Sequence, residues 1–296
     1  MTDPSVVFDP MSDQSPTVTV IMPTYGNRGY LADSVRSVLA QTFTDFELLI
    51  VDDCSREPIQ VGSDDPRIRI LHHVRNQGPA AARNTALAHA RGRYVAFLDD
   101  DDLYPSDRLQ RGIDEIGDAR IHCVPITTSE RRFDGDLRMS MASMGIPLLQ
   151  QVMLRREDCL QFDPSLRTSE DGEWWLRMQD RAVFKWSDGE PVWYRLDDEP
   201  RPGVDVEVRL RDRESVAGRH LHWMDRRARA HRYAMLAYTA LVAGRRRRAL
   251  RYSMLQFRYG PSLKALKLAV RALTVGTNDD DARRRRRSSE IGRAHV

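Results

Sequence analysis

The chain has 296 residues, 41% of them hydrophobic, and a formal net charge of +3; that is enough for one large domain with a packed core, or one domain plus an appendage. Its three cysteines, Cys54, Cys123 and Cys159, are far apart and form no C-x-x-C pair, which fits a reducing cytosol and argues against structural zinc. No apolar run approaches the ~18–20 residues that cross a bilayer, and the acidic, Pro/Ser-containing N-terminus lacks the basic region and apolar core of a signal peptide.

Taken in order, residues 1–16 read as a disordered leader. Thr17 to Met22 is β-branched and apolar, so a strand, and it breaks at Pro23-Thr24-Tyr25-Gly26-Asn27. Leu31, Val35, Val38 and Leu39 recur at helical spacing. Glu47 to Val51 is a second buried strand, ending on Asp52 and Asp53, and Arg67 to Val74 alternates enough to be a third. Gly78-Pro79 opens an Ala-rich helix, with Pro in its first turn and Gly92 after its end. Tyr94 to Leu98 is a short buried strand that stops at four carboxylates, Asp99 to Asp102. Strands alternating with helices predict an α/β fold with a largely parallel sheet covered on both faces. Ligands of such sheets bind at the carboxyl ends of the strands.

Three strand ends, Pro23-Thr24-Tyr25, Asp52-Asp53 and Asp99 to Asp102, therefore converge on one crevice. Four adjacent acids repel one another, and a bound divalent cation is the simplest counter-charge. On an extended chain Asp99 and Asp101 point the same way, giving an Asp-x-Asp pair for one metal or one ligand. Mg²⁺ or Mn²⁺ takes oxygen ligands and bridges carboxylate to phosphate, whereas bare phosphate would be repelled. The competing reading is a solvated acidic loop capping the next helix; the convergence of three strand ends favours the functional one. There is no G-x-x-x-x-G-K-[ST], so this is not a P-loop NTPase, and no G-x-G-x-x-G after the first strand, which weakens a dehydrogenase reading.

As a set and in this order, Val20-Ile21-Met22-Pro23-Thr24-Tyr25, Val51-Asp52-Asp53-Cys54-Ser55, Gly78 to Asn84 and Phe97 to Asp102 resemble the family 2 glycosyltransferases, over about Thr17 to Arg195. The resemblance implies the GT-A fold, a Rossmann-like mixed, mostly parallel sheet flanked by helices, at 17–205. Its nucleotide-binding half would be 17–118 and its acceptor half 119–205. It also implies inverting transfer from a UDP-, GDP- or dTDP-sugar to a saccharide or lipid-linked acceptor. By resemblance, Pro23, Thr24 and Tyr25 line the nucleobase and ribose site, and Asp53, with Asp52, binds the base edge. Arg83 sits near the nucleotide, Asp99 and Asp100 meet ribose or donor sugar, and Asp101, with Asp99, holds the metal.

In the second half, Ile121 to Ile126 and Leu149 to Leu154 are expected as strands and Arg155 to Leu160 as a short helix. Ser169-Glu170-Asp171-Gly172-Glu173-Trp174-Trp175 opens a helix with acids in its first turn, as the helix dipole favours. By itself it reads as a capping box followed by two core tryptophans. By resemblance it is the family's Glu-Asp motif, with Asp171 the general base, Glu170 the next candidate, and one tryptophan facing the acceptor. Many relatives carry a histidine after the following strands; Trp193-Tyr194-Arg195-Leu196-Asp197-Asp198 has none. The third metal ligand is therefore open, with Asp198 or Arg195 as substitutes.

From Val206 the pattern turns helical and basic. Tyr233, Leu236, Ala240 and Leu241 form one apolar stripe, Gly244 breaks it, and Leu250, Met254, Leu255 and Phe257 form the next. This predicts a basic helical hairpin at 206–275. Arg245 to Arg248, Arg251, Arg258, Lys264, Lys267 and Arg271 suit an anionic membrane surface, placing a cytoplasmic protein at the inner face of a membrane, or a solvated face with no partner. Residues 276–296 are expected to be disordered, and because Ile291 to Val296 back-translates to a common sequencing-adaptor read, the tail is expected to be an assembly artefact, which resequencing the source locus tests. The leading reading is a metal-dependent glycosyltransferase of cell-surface polysaccharide or glycolipid synthesis. A non-catalytic nucleotide-sugar-binding scaffold competes with it, against the intact Asp99-x-Asp101 and Asp171. A nucleic-acid binder using the C-terminal arginines also competes, but no RNA or DNA motif supports it.

Overall fold

The computed structural model describes residues 15–26, 29–123, 126–128, 148–178, 184–187, 189–195, 205–261 and 263–274. Expectations for the leader, for Asp198 and for the tail, Ile291 to Val296 included, lie outside the described residues, apart from the leader's last two positions. The chain divides between Gly203 and Val204 into two compact units.

The first unit is built on a seven-stranded sheet. Its strands are β1 (Val18–Thr24), β2 (Phe46–Asp52), β3 (Ile68–His72), β4 (Tyr94–Phe97), β5 (Ile121–Cys123), β7 (Val152–Arg155) and β8 (Phe184–Trp186). They lie in the order β3-β2-β1-β4-β7-β5-β8. β3, β2, β1 and β4 run parallel, and β7 is antiparallel to both β4 and β5. A second, two-stranded sheet pairs β6 (Ile126–Thr128) with β9 (Val192–Tyr194).

Every residue of β2 and β4 is buried, and only Pro23 of β1 is not. Strands covered on both faces read as continuous apolar runs. Side-chain alternation sorts these strands onto two cores. On one face Ile21, Leu49 and Phe97 pack with the alanines of α2 (Pro79–His89) and with Phe162 and Trp174. On the other, Val20, Leu48 and Ala96 pack against α1 (Leu31–Leu39) and α3 (Arg108–Ile116). Gly92 lets the β4 segment approach β1: a Cβ there would lie 2.4 Å from the backbone nitrogen of Thr19.

The second half of this unit departs from the sequence expectations. Ile121 to Ile126 is two short strands in different sheets. The expected strand at Leu149 to Leu154 starts as a 3₁₀ turn, Leu149–Gln151, because the Gln151 side chain accepts the backbone N–H of Leu148 at 2.8 Å and closes the chain on itself. The short helix expected at Arg155 to Leu160 is a single 3₁₀ turn, Arg156–Asp158.

Among the described residues the second unit has four α-helices rather than the two of a hairpin: α5 (Val206–His220), α6 (Arg226–Val242), α7 (Arg246–Tyr259) and α8 (Leu263–Thr274). Leu210 and Ala217 of α5, Leu236 and Ala240 of α6 and Ala249 of α7 form its core. Asp205 and Asp225 cap α5 and α6, accepting from the backbone N–H groups of Glu207 at 2.9 Å and Ala228 at 2.7 Å. α5 escapes the apolar-stripe signal because it buries Asp212 and Arg213, the latter donating to the Thr239 hydroxyl. Among the described residues, no helix is long and apolar enough to cross a membrane.

Candidate active site

The site grows from the end of β4. The strand stops at Phe97, Leu98 stays buried, and the chain turns, with the Asp102 N–H donating to the Asp99 carbonyl at 3.2 Å. Because this is a turn, period-two alternation does not govern the acids, which corrects the extended Asp-x-Asp geometry. The turn gathers Asp99, Asp101 and Asp102, whose ligand oxygens lie within 4.8 Å of one another. Asp100 faces the first strand instead, accepting from the Thr24 hydroxyl at 2.5 Å.

Asp101 and Asp102 are buried. Burial, reinforced by the charges of Asp99 and Asp101, pushes Asp102 up to about 8. The structure partly offsets this repulsion with hydrogen-bond donors. The Gln150 amide donates to Asp99 at 2.9 Å and to Asp102 at 2.7 Å. The Arg195 backbone N–H donates to Asp102 at 2.9 Å, and its side-chain Nε donates to the Asp101 carbonyl at 3.0 Å. Arg195 is delivered by a backbone bridge in which Leu103 and Trp193 exchange two 2.9 Å hydrogen bonds, and its guanidinium lies 4.1 Å from the Tyr30 ring centroid. Three clustered carboxylates, two of them buried, form an all-oxygen donor set of the kind that hard divalent cations such as Mg²⁺ or Mn²⁺ take. Asp102 joins Asp99 and Asp101 in that set; the sequence showed it as one of four acids without distinguishing it. Gln150 carried no sequence signal, being one of two adjacent glutamines in a stretch read as a strand.

Arg83 connects this cluster to the opening of α4 (Glu170–Met178). Its guanidinium is buried and donates to Asp99 and to Glu170, each at 2.8 Å, with the Phe162 ring centroid 5.6 Å away. Burial opposes its charge, but the two carboxylates hold its pKa above the ordinary arginine value. Burial pushes Glu170 up to about 7; Arg83 opposes that rise and Asp171 adds to it. Asp171 is partly exposed, in the first turn, and accepts the Gly172 N–H at 2.6 Å. Ser169, just before the helix, has φ of +63°, a left-handed conformation uncommon outside glycine. Both tryptophans are core, which corrects the expectation that one faces an acceptor. Trp174 stacks on Phe162 at 5.4 Å and donates to the Leu160 carbonyl at 2.7 Å, and Trp175 is 3% exposed.

The β2 end is knitted into the fold. Asp52 accepts from the Ser55 backbone N–H at 3.0 Å and hydroxyl at 2.5 Å, and lies 3.1 Å from His72 Nδ1. Asp53 accepts the backbone N–H groups of Gln77 at 2.8 Å and Gly78 at 2.7 Å, at the threshold of α2, and lies 2.7 Å from His73 Nδ1. Gly78 has φ of +91° and is roofed by Arg167, whose guanidinium would lie 2.9 Å from a Cβ there. Tyr25 is 49% exposed, beyond buried Thr24 and partly buried Pro23.

Comparison with known proteins adds to this geometry. The description of Glycosyl transferase family 2 matches residues 19–183. TuaG of Bacillus subtilis (strain 168), named for teichuronic acid biosynthesis, is 43% identical over 109 residues, 35% of this chain and 43% of that protein. The Escherichia coli UDP-Glc:alpha-D-GlcNAc-diphosphoundecaprenol beta-1,3-glucosyltransferase WfgD is 40% identical over 99 residues, 32% of this chain and 39% of that protein. The chain thus matches less than half the length of each. S. aureus TarS 1–349 in complex with UDP aligns with a TM-score of 0.55 at 19% identity, covering 75% of this chain and 70% of that one. The mannosyltransferase PcManGT from Pyrobaculum calidifontis, in complex with GDP-Man and Mn²⁺, aligns with a TM-score of 0.53 at 18% identity, covering 94% and 81%. At those identities the likeness is one of fold, the GT-A type.

Proposed function

The chain belongs to glycosyl transferase family 2, and from that premise we propose that it moves a sugar from a nucleotide-diphosphate donor to an acceptor hydroxyl with inversion at the anomeric carbon. The observation that carries the reading is the Arg83 bridge, which holds Asp99 of the acid cluster and Glu170 of the Glu-Asp motif on one buried cation.

Pro23, Thr24 and Tyr25 receive the nucleobase and ribose, with Asp52 and Asp53 shaping the adjoining wall. Asp99 and Asp100 face ribose and donor sugar. Asp99, Asp101 and Asp102 would hold Mn²⁺ or Mg²⁺, which when bound supplies charge neutralisation at the departing diphosphate. Asp171 takes the proton of the acceptor hydroxyl as that oxygen bonds to the anomeric carbon and the bond from that carbon to the diphosphate oxygen breaks. Glu170 is committed to Arg83, which leaves Asp171 the freer carboxylate for the proton. Relatives named for teichuronic acid biosynthesis and for a diphosphoundecaprenol acceptor support a role in cell-surface polysaccharide or glycolipid synthesis, with a saccharide or lipid-linked acceptor. The UDP bound by TarS, and the GDP-Man and Mn²⁺ bound by PcManGT, support a UDP- or GDP-sugar donor and the metal.

The test is donor hydrolysis and transfer by the purified chain, across UDP-, GDP- and dTDP-sugars, with Mn²⁺, with Mg²⁺ and with EDTA. Turnover that needs a divalent ion and disappears in Asp171→Asn is expected. Full turnover in EDTA would remove the metal, and donor binding without turnover under any condition would leave a binding protein.

A further inference from the structure

The second unit carries features that sugar transfer does not use. From Arg245 to Thr274 there are nine arginines and lysines and no aspartate or glutamate. Arg245 and Arg248 pair with Glu207 at 2.6 Å and Glu214 at 3.3 Å, both on α5. Among the described residues, Arg246, Arg247, Arg251, Arg258, Lys267 and Arg271 are exposed and make no ion pair. Large apolar side chains stand among them: Leu263 is 77% exposed, Leu273 65%, Met254 59%, Leu266 53% and Phe257 52%.

Their arrangement is regular. At 100° per residue, Leu263, Leu266 and Leu273 fall within an arc of roughly 80° on α8, and Lys267 and Arg271 occupy the adjoining arc. Met254 and Phe257 of α7, three apart, share one helix face, and α7 packs against α8. Monomeric proteins rarely leave such apolar surface uncovered.

We propose that this α7–α8 face docks on an anionic bilayer, with the leucines of α8 and Phe257 entering the acyl boundary and the unpaired cations meeting headgroup phosphates. Charge complementarity selects this occupant. A second copy bringing the same face would set these six cations against six. A bilayer of anionic lipid offers apolar depth and negative charge together, the combination that holds amphipathic helices in the interface plane. The docking does not depend on the transfer reaction and is read without a donor sugar.

The full chain should sediment with vesicles of equal parts phosphatidylcholine and phosphatidylglycerol, more weakly at high salt, and poorly with phosphatidylcholine alone. The double substitution Leu266→Ser, Leu273→Ser should lower partitioning roughly tenfold or more, the scale set by withholding two leucine side chains from an apolar phase. Arg246→Gln, Arg247→Gln and Arg251→Gln should each lower it roughly fivefold at low salt. All these side chains are exposed, so the variants should keep the parent's circular dichroism and melting temperature. Failure to sediment with anionic vesicles, equal sedimentation with both vesicle types, or partitioning untouched by the leucine substitutions would overturn the proposal. So would a dimer in solution that the leucine substitutions dissolve, since that assigns the face to a second copy.

Discussion

Nη1 of Arg83 lies 2.8 Å from Oε1 of Glu170, although 87 residues separate them in sequence. Nη2 of the same guanidinium holds Asp99 at 2.8 Å, so one buried cation ties the end of β4 to the first turn of α4. Deleting one partner of a buried ion pair leaves uncompensated charge and costs about 3–5 kcal/mol. Arg83→Met should therefore lower the unfolding free energy by about 3 kcal/mol or more. Arg83→Lys should recover only part of the loss, because a single ammonium lacks the fork that reaches two carboxylates. Urea denaturation of the three proteins measures this, and coincident midpoints for Arg83→Met and the parent would take the bridge out of the stability of the fold.

Glu170 gives stability a pH dependence whose sign is fixed. Its pKa rises from the model-compound 4.5 to about 7, chiefly through burial, so the folded state holds a proton that the unfolded state has released. The stability linked to this group is full below about pH 4.5 and is lost as pH rises through about 7. A shift of this size is worth on the order of 3 kcal/mol. Glu170→Gln keeps a carbonyl for Arg83 but cannot titrate. It should flatten the fall in melting temperature between pH 5 and pH 8, measured without divalent ions. An unchanged slope would mean that Asp102, also raised, to about 8, carries the dependence alone.

The first half of the fold was legible because its signals are local. β1, β2 and β4 are continuous apolar runs ending in Pro, Asp or Gly punctuation, and Pro79 marks the first turn of α2. The convergence of their ends follows from parallel topology, so the acid cluster could be located from sequence. Its internal geometry could not. Whether four consecutive aspartates run extended or turn is decided by partners that come from far along the chain, Gln150 at 48 and Arg195 at 93 residues from Asp102. Nothing in the composition around Gln150 distinguishes it from a surface glutamine. In the second unit α5 escaped the sequence reading for a similar reason: its Asp212 and Arg213 are buried polar residues, which no apolar stripe reveals, whereas α8 does carry such a stripe in Leu263, Leu266 and Leu273.

Gln150 is the neutral donor shared by Asp99 and Asp102. Partners of metal-ligating carboxylates typically set affinity by 10- to 100-fold. Gln150→Leu should weaken Mn²⁺ binding by about that factor, whereas Asp101→Ala should remove it. Isothermal titration of the metal into the chain, with and without a nucleoside diphosphate, reads both effects independently of turnover. Equal Mn²⁺ affinity in the parent and Asp101→Ala would place the ion elsewhere or nowhere.

Asp171 separates catalysis from capping. Its carboxylate accepts the neighbouring N–H of Gly172 at 2.6 Å inside the first turn of α4, satisfying one of that turn's otherwise orphaned donors, and a hydrogen bond of that kind contributes about 1 kcal/mol. Asp171→Asn keeps the carbonyl oxygen that accepts this N–H but loses the ability to take a proton at neutral pH. If Asp171 is the base, transfer should fall by ~10²- to 10⁴-fold with melting temperature and donor affinity unchanged. Asp171→Ala should lose both the transfer and the cap, melting a few degrees lower. A cap without a catalytic role gives the opposite split: Asp171→Asn would turn over normally and only Asp171→Ala would lose stability. Glu170 would then be the next carboxylate to test, and its bond to Arg83 predicts that Glu170→Gln alters stability together with rate. Measuring melting temperature, donor affinity and turnover on the same preparations of Asp171→Asn, Asp171→Ala and Glu170→Gln assigns the proton to one carboxylate or excludes both.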